Sequence, residues 1–254
     1  MSIVLQTHEL SKRFGGLTAT NNVSISVERG ARQALIGPNG AGKTTLINLL
    51  TGVLTPSAGR IMLNGKDITR MPVHQRVKSG LVRTFQINQL FADLTPAQAL
   101  AVTISERDGW GYRMGRALGR YPTLMDEVAS VLQQCKLLDD RDTRTKVLPY
   151  GKQRLLEIGL ALAAKPSVLL LDEPAAGVPD GERHEILNTV AALPEDVTIL
   201  LIEHDMDLVF SFANKISVLV NGALFVEGSK KEIAQDPRVK AVYLGEEMTG
   251  SDYV

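Results

Sequence analysis

The sequence predicts an α/β fold: a parallel sheet layered with helices, joined to an antiparallel β region and interrupted by a mostly helical insertion. Three observations predict it. The runs "RQALIG", "SVLLLDEP" and "VTILLIEH" are short, apolar and bounded by turn residues, as the strands of a sheet covered on both faces are. Asn64-Gly65 in "RIMLNGKDI" and Asn221-Gly222 in "ISVLVNGALFVEG" stand between strand-like runs and mark antiparallel hairpins. From about residue 90 to 165 the β-branched runs give way to helical patterns, broken by Pro96 and Pro122.

Taken in order, "NNVSISVERG" alternates Val23, Ile25 and Val27 with polar residues and reads as one half-buried strand. "RQALI" is the next strand, and "TTLINLLTGV" the helix after it. A glycine- and arginine-rich stretch at 106–120, "ERDGWGYRMGRALGR", reads as a solvated loop or helix face. "LPYGKQRLLEIG" is a loop followed by a helix that starts near Gly151, runs to about Ala164 and is stopped by Pro166.

Bulk properties narrow the function classes. The chain has 254 residues, enough for one large α/β domain or two small ones and ample for a substantial core. Its 28 Lys+Arg balance 28 Asp+Glu, so no general affinity for nucleic acid or anionic membrane is expected. The single cysteine, Cys135 in "VLQQCKLL", excludes a disulfide framework and reads as a buried small hydrophobe. No apolar run reaches the roughly 18 residues of a membrane span, and "MSIVLQTHELSKRF" lacks the features of a signal peptide. A cytosolic protein that meets a membrane only through partners is expected.

The chemistry begins at Gly37 to Thr45, "GPNGAGKTT": Gly37, Pro38, Asn39, Gly40, Ala41, Gly42, Lys43, Thr44 and Thr45 lie between a strand and a helix. In that setting the pattern is a phosphate-binding loop. Its glycines let backbone N–H groups point at phosphate oxygens, and the helix start adds partial positive charge. Lys43 is expected on the β- and γ-phosphates and the Thr44 hydroxyl on Mg²⁺. Asp172 and Glu173 end the run "VLLLDEP", at the carboxyl edge where ligands of parallel sheets bind. Asp172 is expected to hold Mg²⁺ through its water shell, and Glu173 to polarise the water that attacks the γ-phosphate. His204, at the end of "LLIEH", stands at the same edge and is expected to contact that phosphate, whereas His8, His74 and His184 have no such setting. Gln86, in "LVRTFQ", falls where the core gives way to the helical region, and its amide is expected to meet Mg²⁺ or the attacking water.

This order of phosphate loop, Gln86, glycine-led helix, Asp-Glu strand and histidine resembles the ATP-binding subunit of ABC transporters across essentially the whole chain. The resemblance implies a P-loop NTPase (RecA-like) core at about 1–86 and 166–254, an antiparallel β subdomain, and a helical subdomain at about 87–165. It makes "LPYGKQR" the signature segment, usually Leu-Ser-Gly-Gly-Gln, and sets Tyr150, Gly151 and Lys152 on the ATP bound by an opposing subunit. Phe14, in "LSKRFGG", becomes the aromatic stacked on adenine, or else a core residue. "VRTFQ", "LPYGKQR", "LLLDEPAAG", "IEHDM" and "DPRVKAVYLGEE" are most similar to the larger ATPase of branched-chain amino-acid importers. The urea, amide and aromatic-compound uptake ATPases and the lipopolysaccharide-export ATPase are neighbours. Implied partners are a second ATPase, two transmembrane permeases and, indirectly, a periplasmic substrate-binding protein, with the chain on the cytoplasmic side of the inner membrane. Two departures stand out. Pro149 replaces the signature serine, and Pro179 stands, with Asp180 after it, where an Asp usually meets the opposing subunit.

Other classes fit less well. Soluble ABC ATPases of ribosomes or DNA usually carry tandem cassettes or a coiled-coil insertion, and this chain has one cassette and no heptad array. A GTPase switch lacks its guanine-reading segment here, since "NKIS" at 214–217 has no Asp. Glu173 argues against a nucleotide-binding scaffold without turnover.

Overall fold

A computed structural model describes residues 2–84, 90–110 and 121–242. The chain forms two compact units, Met1–Ser79 with Thr198–Val254, and Gly80–Val197.

In the first unit, β4 (Arg32–Ile36) lies between β9 (Thr198–Ile202) and β10 (Lys215–Val220), parallel to both. All five residues of β9 are buried, which is why these strands read as unbroken apolar runs. β11 (Ala223–Ser229) returns antiparallel to β10 through the Asn221-Gly222 turn, at φ 48° and 77°. Helix α1 (Lys43–Thr51) follows β4 and buries Leu46, Ile47, Leu49 and Leu50. Each such side chain contributes roughly 1.5–3 kcal/mol of hydrophobic stabilisation. Arg76, in α2 (Val73–Lys78), is only 2% exposed and donates to four carbonyls: Leu49 O, Leu50 O, Thr69 O and Met71 O at 2.6–2.9 Å. It thereby grips the C-terminal end of α1. Helices α7 (Met206–Phe212) and α8 (Lys230–Gln235) follow β9 and β11.

The antiparallel region centres on β1 (Ile3–Phe14). It pairs with β2 (Leu17–Val23), β3 (Ser26–Glu28) and β5 (Ala58–Leu63), and β5 continues through the Asn64-Gly65 turn into β6 (Lys66–Asp67). The single strand expected over "NNVSISVERG" is two strands. Val23, Ile25 and Val27 are all buried as the alternation requires, but the ladder breaks at Ser24. There the Thr7 hydroxyl donates to Val23 O at 2.9 Å and accepts from Ile25 N–H at 3.0 Å, satisfying backbone groups that the break leaves over.

The second unit pairs β7 (Leu81–Arg83) with β8 (Val168–Asp172) in parallel. Its helices are α3 (Pro96–Arg107), α4 (Pro122–Gln134), α5 (Tyr150–Ala163) and α6 (Asp180–Ala191). Thr95 and Gln98 form a capping box at the start of α3, which fixes where that helix begins. α4 buries Leu124, Val128, Val131 and Leu132, an i, i+4, i+7, i+8 stripe. Cys135 is buried, and burial pushes its thiol up to about 12, so it behaves as a small hydrophobe.

The solvated reading of the 106–120 stretch fails at Arg107. Its side chain is 15% exposed and donates to Glu127 at 2.6 and 3.0 Å and to Ala163 O at 2.8 Å. Arg107 thus ties α3 to α4 and to the end of α5. Residues 111–120 of that stretch lie outside the described residues.

Candidate nucleotide site

The phosphate loop runs from the end of β4 into α1. Two glycines are required by close approach: a Cβ at Gly37 would collide with Leu219 O, and one at Gly42 with Ala19 O. Gly42 caps α1 in the left-handed region, at φ 94°, and brings no side-chain acceptor. The first turn of α1 holds no acid, and its first backbone bond of the i−4 kind is Leu46 N–H to Gly42 O at 2.9 Å. The N–H groups of Lys43, Thr44 and Thr45 precede that bond, at the positive end of the helix dipole. Lys43 Nζ arches back over the loop to Gly37 O and, at 3.0 Å, Pro38 O. The result is a cationic cradle of backbone N–H groups with Thr44 exposed beside it.

β4 and β9 are paired in parallel with Leu35 opposite Ile202, so the phosphate loop and His204 leave the same edge of the sheet. His204 is exposed, and its N–H donates to the Glu203 carboxylate at 3.3 Å. Phe14 ends β1 and is 46% exposed, which rules out the core reading; the Lys12 ammonium stands 5.1 Å from its ring centre.

In the second unit, Asp172 is the last residue of β8. Its carboxylate accepts from Arg83 Nη2 at 2.5 Å, with side-chain exposures of 8% and 13%. Glu173 follows at φ 45°, in the left-handed region that non-glycine residues rarely adopt. Such strain costs of order 1–3 kcal/mol and concentrates at functional sites. Gln86 lies outside the described residues.

The start of α5 is capped from another helix. Pro149 is the N-cap and supplies no side-chain bond. Gly151 N–H instead donates to the Glu182 carboxylate of α6 at 3.0 Å, and a Cβ at position 151 would collide with that oxygen. Tyr150 lies under the Arg154 guanidinium, 5.5 Å from the ring centre. Lys152 Nζ is paired with Asp140 at 2.5 Å, a bond that raises its pKa. Pro179 caps α6 as Pro149 caps α5, and Asp180 opens α6.

Among the described residues no cluster of three or more His, Cys, Asp or Glu side chains forms a metal cage. Taken singly, the Asp172 carboxylate and, in the other unit, the Thr44 hydroxyl are oxygen donors of the kind Mg²⁺ accepts, an ion that keeps most of its waters and binds with substrate phosphates rather than in an all-protein cage. Arg83, Glu182 and Asp140 are the partners that sequence reasoning missed. Arg83 was within reach, since it stands in "VRTFQ" three residues before Gln86. Nothing local marks Glu182 or Asp140.

The ABC transporter family profile matches residues 20–176. A high-affinity branched-chain amino acid transport ATP-binding protein of Pseudomonas aeruginosa is 38% identical over 252 residues, covering 96% of this chain and 98% of that one. A probable branched-chain amino acid transport ATP-binding protein of Archaeoglobus fulgidus is 37% identical over 248 residues, with 95% of each covered. The crystal structure of an ATP-binding cassette of an ABC transporter in its ADP conformation superposes with a TM-score of 0.83 at 33% identity, covering 96% of this chain and all of that one.

Proposed function

The chain belongs to the ABC transporter family, as an ATP-hydrolysing subunit, and on that premise we propose that it drives import of branched-chain or other hydrophobic amino acids. The observation that carries this reading is the cationic phosphate cradle at α1, set in a chain that matches branched-chain transport ATP-binding proteins over almost its whole length. Substrate choice is assigned by that likeness, because the translocated molecule is recognised by other subunits.

In this reading the loop N–H groups and Lys43 hold the β- and γ-phosphates, and Phe14 stacks on adenine. Thr44 and Asp172, with Gln86, would hold Mg²⁺, which would offset the phosphate charge. Glu173 accepts a proton from the attacking water and aligns it, and His204 donates to the γ-phosphate. Tyr150, Gly151 and Lys152 at the start of α5 close on the nucleotide of a second, different ATPase subunit, two ATPs being held between them. Among the described residues no helix is long and apolar enough to cross a membrane. Two permeases, served by a periplasmic binding protein, supply the path, and the chain works at the cytoplasmic face.

Reconstitution of the complex in vesicles tests this. ATP-driven uptake of leucine, isoleucine or valine is expected, and Glu173→Gln should still bind ATP while losing at least about 100-fold in turnover and uptake. Uptake of urea or of none of these solutes would remove the substrate assignment. Wild-type hydrolysis by Glu173→Gln would remove the role of Glu173, and a native complex with only copies of this chain as ATPase would replace the heterodimer with a homodimer.

A further inference from the structure

Arg83 ends β7 and Asp172 ends β8, and the two strands are parallel neighbours with Arg83 opposite Leu170. From there the guanidinium reaches along the strand to the Asp172 carboxylate, at 2.5 Å, in a setting where both side chains are largely shielded from water. Thr84 N–H continues the ladder to Leu170 O at 3.0 Å, so the backbone that carries Arg83 is fixed to the strand that carries Asp172. A buried ion pair is a weak source of net stability, because desolvation of both charges offsets their attraction. Its presence on the one carboxylate assigned to the metal therefore calls for a role at that carboxylate.

We infer that Arg83 is a positioning residue for Asp172, holding one carboxylate oxygen so that the other is aimed at the water shell of nucleotide-bound Mg²⁺. This rests on the ATPase reading of the site. A metal met through water needs one oriented acceptor, and a carboxylate free to rotate supplies it only part of the time. Arg83 does not touch the reacting atoms. In the sequence it stands three residues before Gln86.

The test uses Mn²⁺ in place of Mg²⁺, with a non-hydrolysable ATP analogue and the full chain. Free Mn²⁺ is followed by electron paramagnetic resonance, and nucleotide binding without metal by a fluorescent analogue. Arg83→Gln should bind nucleotide without metal as the wild type does, while its Mn²⁺ affinity in the presence of nucleotide falls about 10- to 100-fold. Arg83→Lys, which keeps a charged donor, should recover part of the loss. A folded Arg83→Gln variant with wild-type Mn²⁺ affinity would overturn the inference. If Arg83→Gln does not fold, arginine-labelled wild-type protein decides. Its Arg83 guanidinium signal should stay rotationally restricted when Mn²⁺ is replaced by Mg²⁺ and nucleotide is added, and its release would show a competitor rather than a positioning group. A wild-type chain that binds nucleotide with no dependence on metal contradicts the ATPase reading itself, a separate outcome from either of these.

Discussion

Helices α1 and α5 both carry a glycine at the N-terminal end (Gly42 as the cap of α1, Gly151 in the first turn of α5), both hold an arginine on their C-terminal carbonyls, and differ in the charge beside those N-terminal ends. Arg76 donates to Leu49 O and Leu50 O at the end of α1, and Arg107 to Ala163 O at the end of α5. Neither N-cap, Gly42 or Pro149, supplies a side-chain acceptor, and neither first turn contains an acid. At α1 the nearby charge is the Lys43 ammonium, folded onto its own loop. At α5 it is the Glu182 carboxylate, bonded to Gly151 N–H. Two helix starts with the same dipole therefore present opposite local charge, because the neighbouring side chains differ. α1 suits a resident anion. The start of α5 is already occupied by an internal carboxylate.

The comparison can be broken at the C-terminal ends first. Arg76→Met removes a nearly water-free guanidinium from four carbonyls and should cost about 3–5 kcal/mol in urea unfolding. Arg107 is more exposed, so Arg107→Met should cost roughly 1–2 kcal/mol, since solvent can replace part of its bonding. Equal losses would mean that the two ends are not held differently. The Arg107 site should also be the more acid-sensitive. Its hydrogen bonds hold Glu127 down at about 2, below its ordinary 4.5. Stability from this ionised pair is present above the ordinary value and is lost as pH falls towards 2. Unfolding of wild type and Arg107→Met should therefore converge over that interval.

At the N-terminal ends the effects are smaller. Glu182→Ala removes the carboxylate that accepts from Gly151 N–H and should cost about 1 kcal/mol, the worth of an ordinary helix cap. No change in stability would show that the carboxylate is not a cap. Pro149→Ser restores a hydroxyl where α5 already has its acceptor, so ATPase activity of the assembled complex should change by less than about threefold, under 1 kcal/mol.

What the sequence disclosed follows from how local each feature is. Nine consecutive residues specify the phosphate loop, and the Asn-Gly turns specify the two hairpins, because backbone chemistry sets both within a few residues. Gly151 was visible as a helix start, but its carboxylate partner lies 31 residues away, and Arg83 lies 89 residues from Asp172. Such pairings depend on which elements become neighbours, and no local pattern carries that. Arg107 misled for the opposite reason: a glycine- and arginine-rich composition signals solvent, while a single long side chain in it can still turn inward. The break between β2 and β3 was hidden because burial keeps its alternation across it, and only the Thr7 hydroxyl bonds reveal the change of register.

The central claim, that α1 holds this chain's own ATP while the start of α5 acts on a partner's, is tested most directly by two variants in two settings. ATP binding is measured on the isolated chain and ATP hydrolysis on the assembled complex, for Lys43→Ala and Gly151→Asp. Lys43→Ala should weaken binding by the isolated chain about 10- to 100-fold, the loss of one charge-assisted contact. Gly151→Asp, whose side chain must also push the Glu182 carboxylate aside, should leave that binding within about twofold yet nearly abolish hydrolysis by the complex, since its carboxylate would oppose a phosphate supplied from outside the chain. Near-normal hydrolysis by Gly151→Asp, or loss of ATP binding by that variant in isolation, would contradict the account.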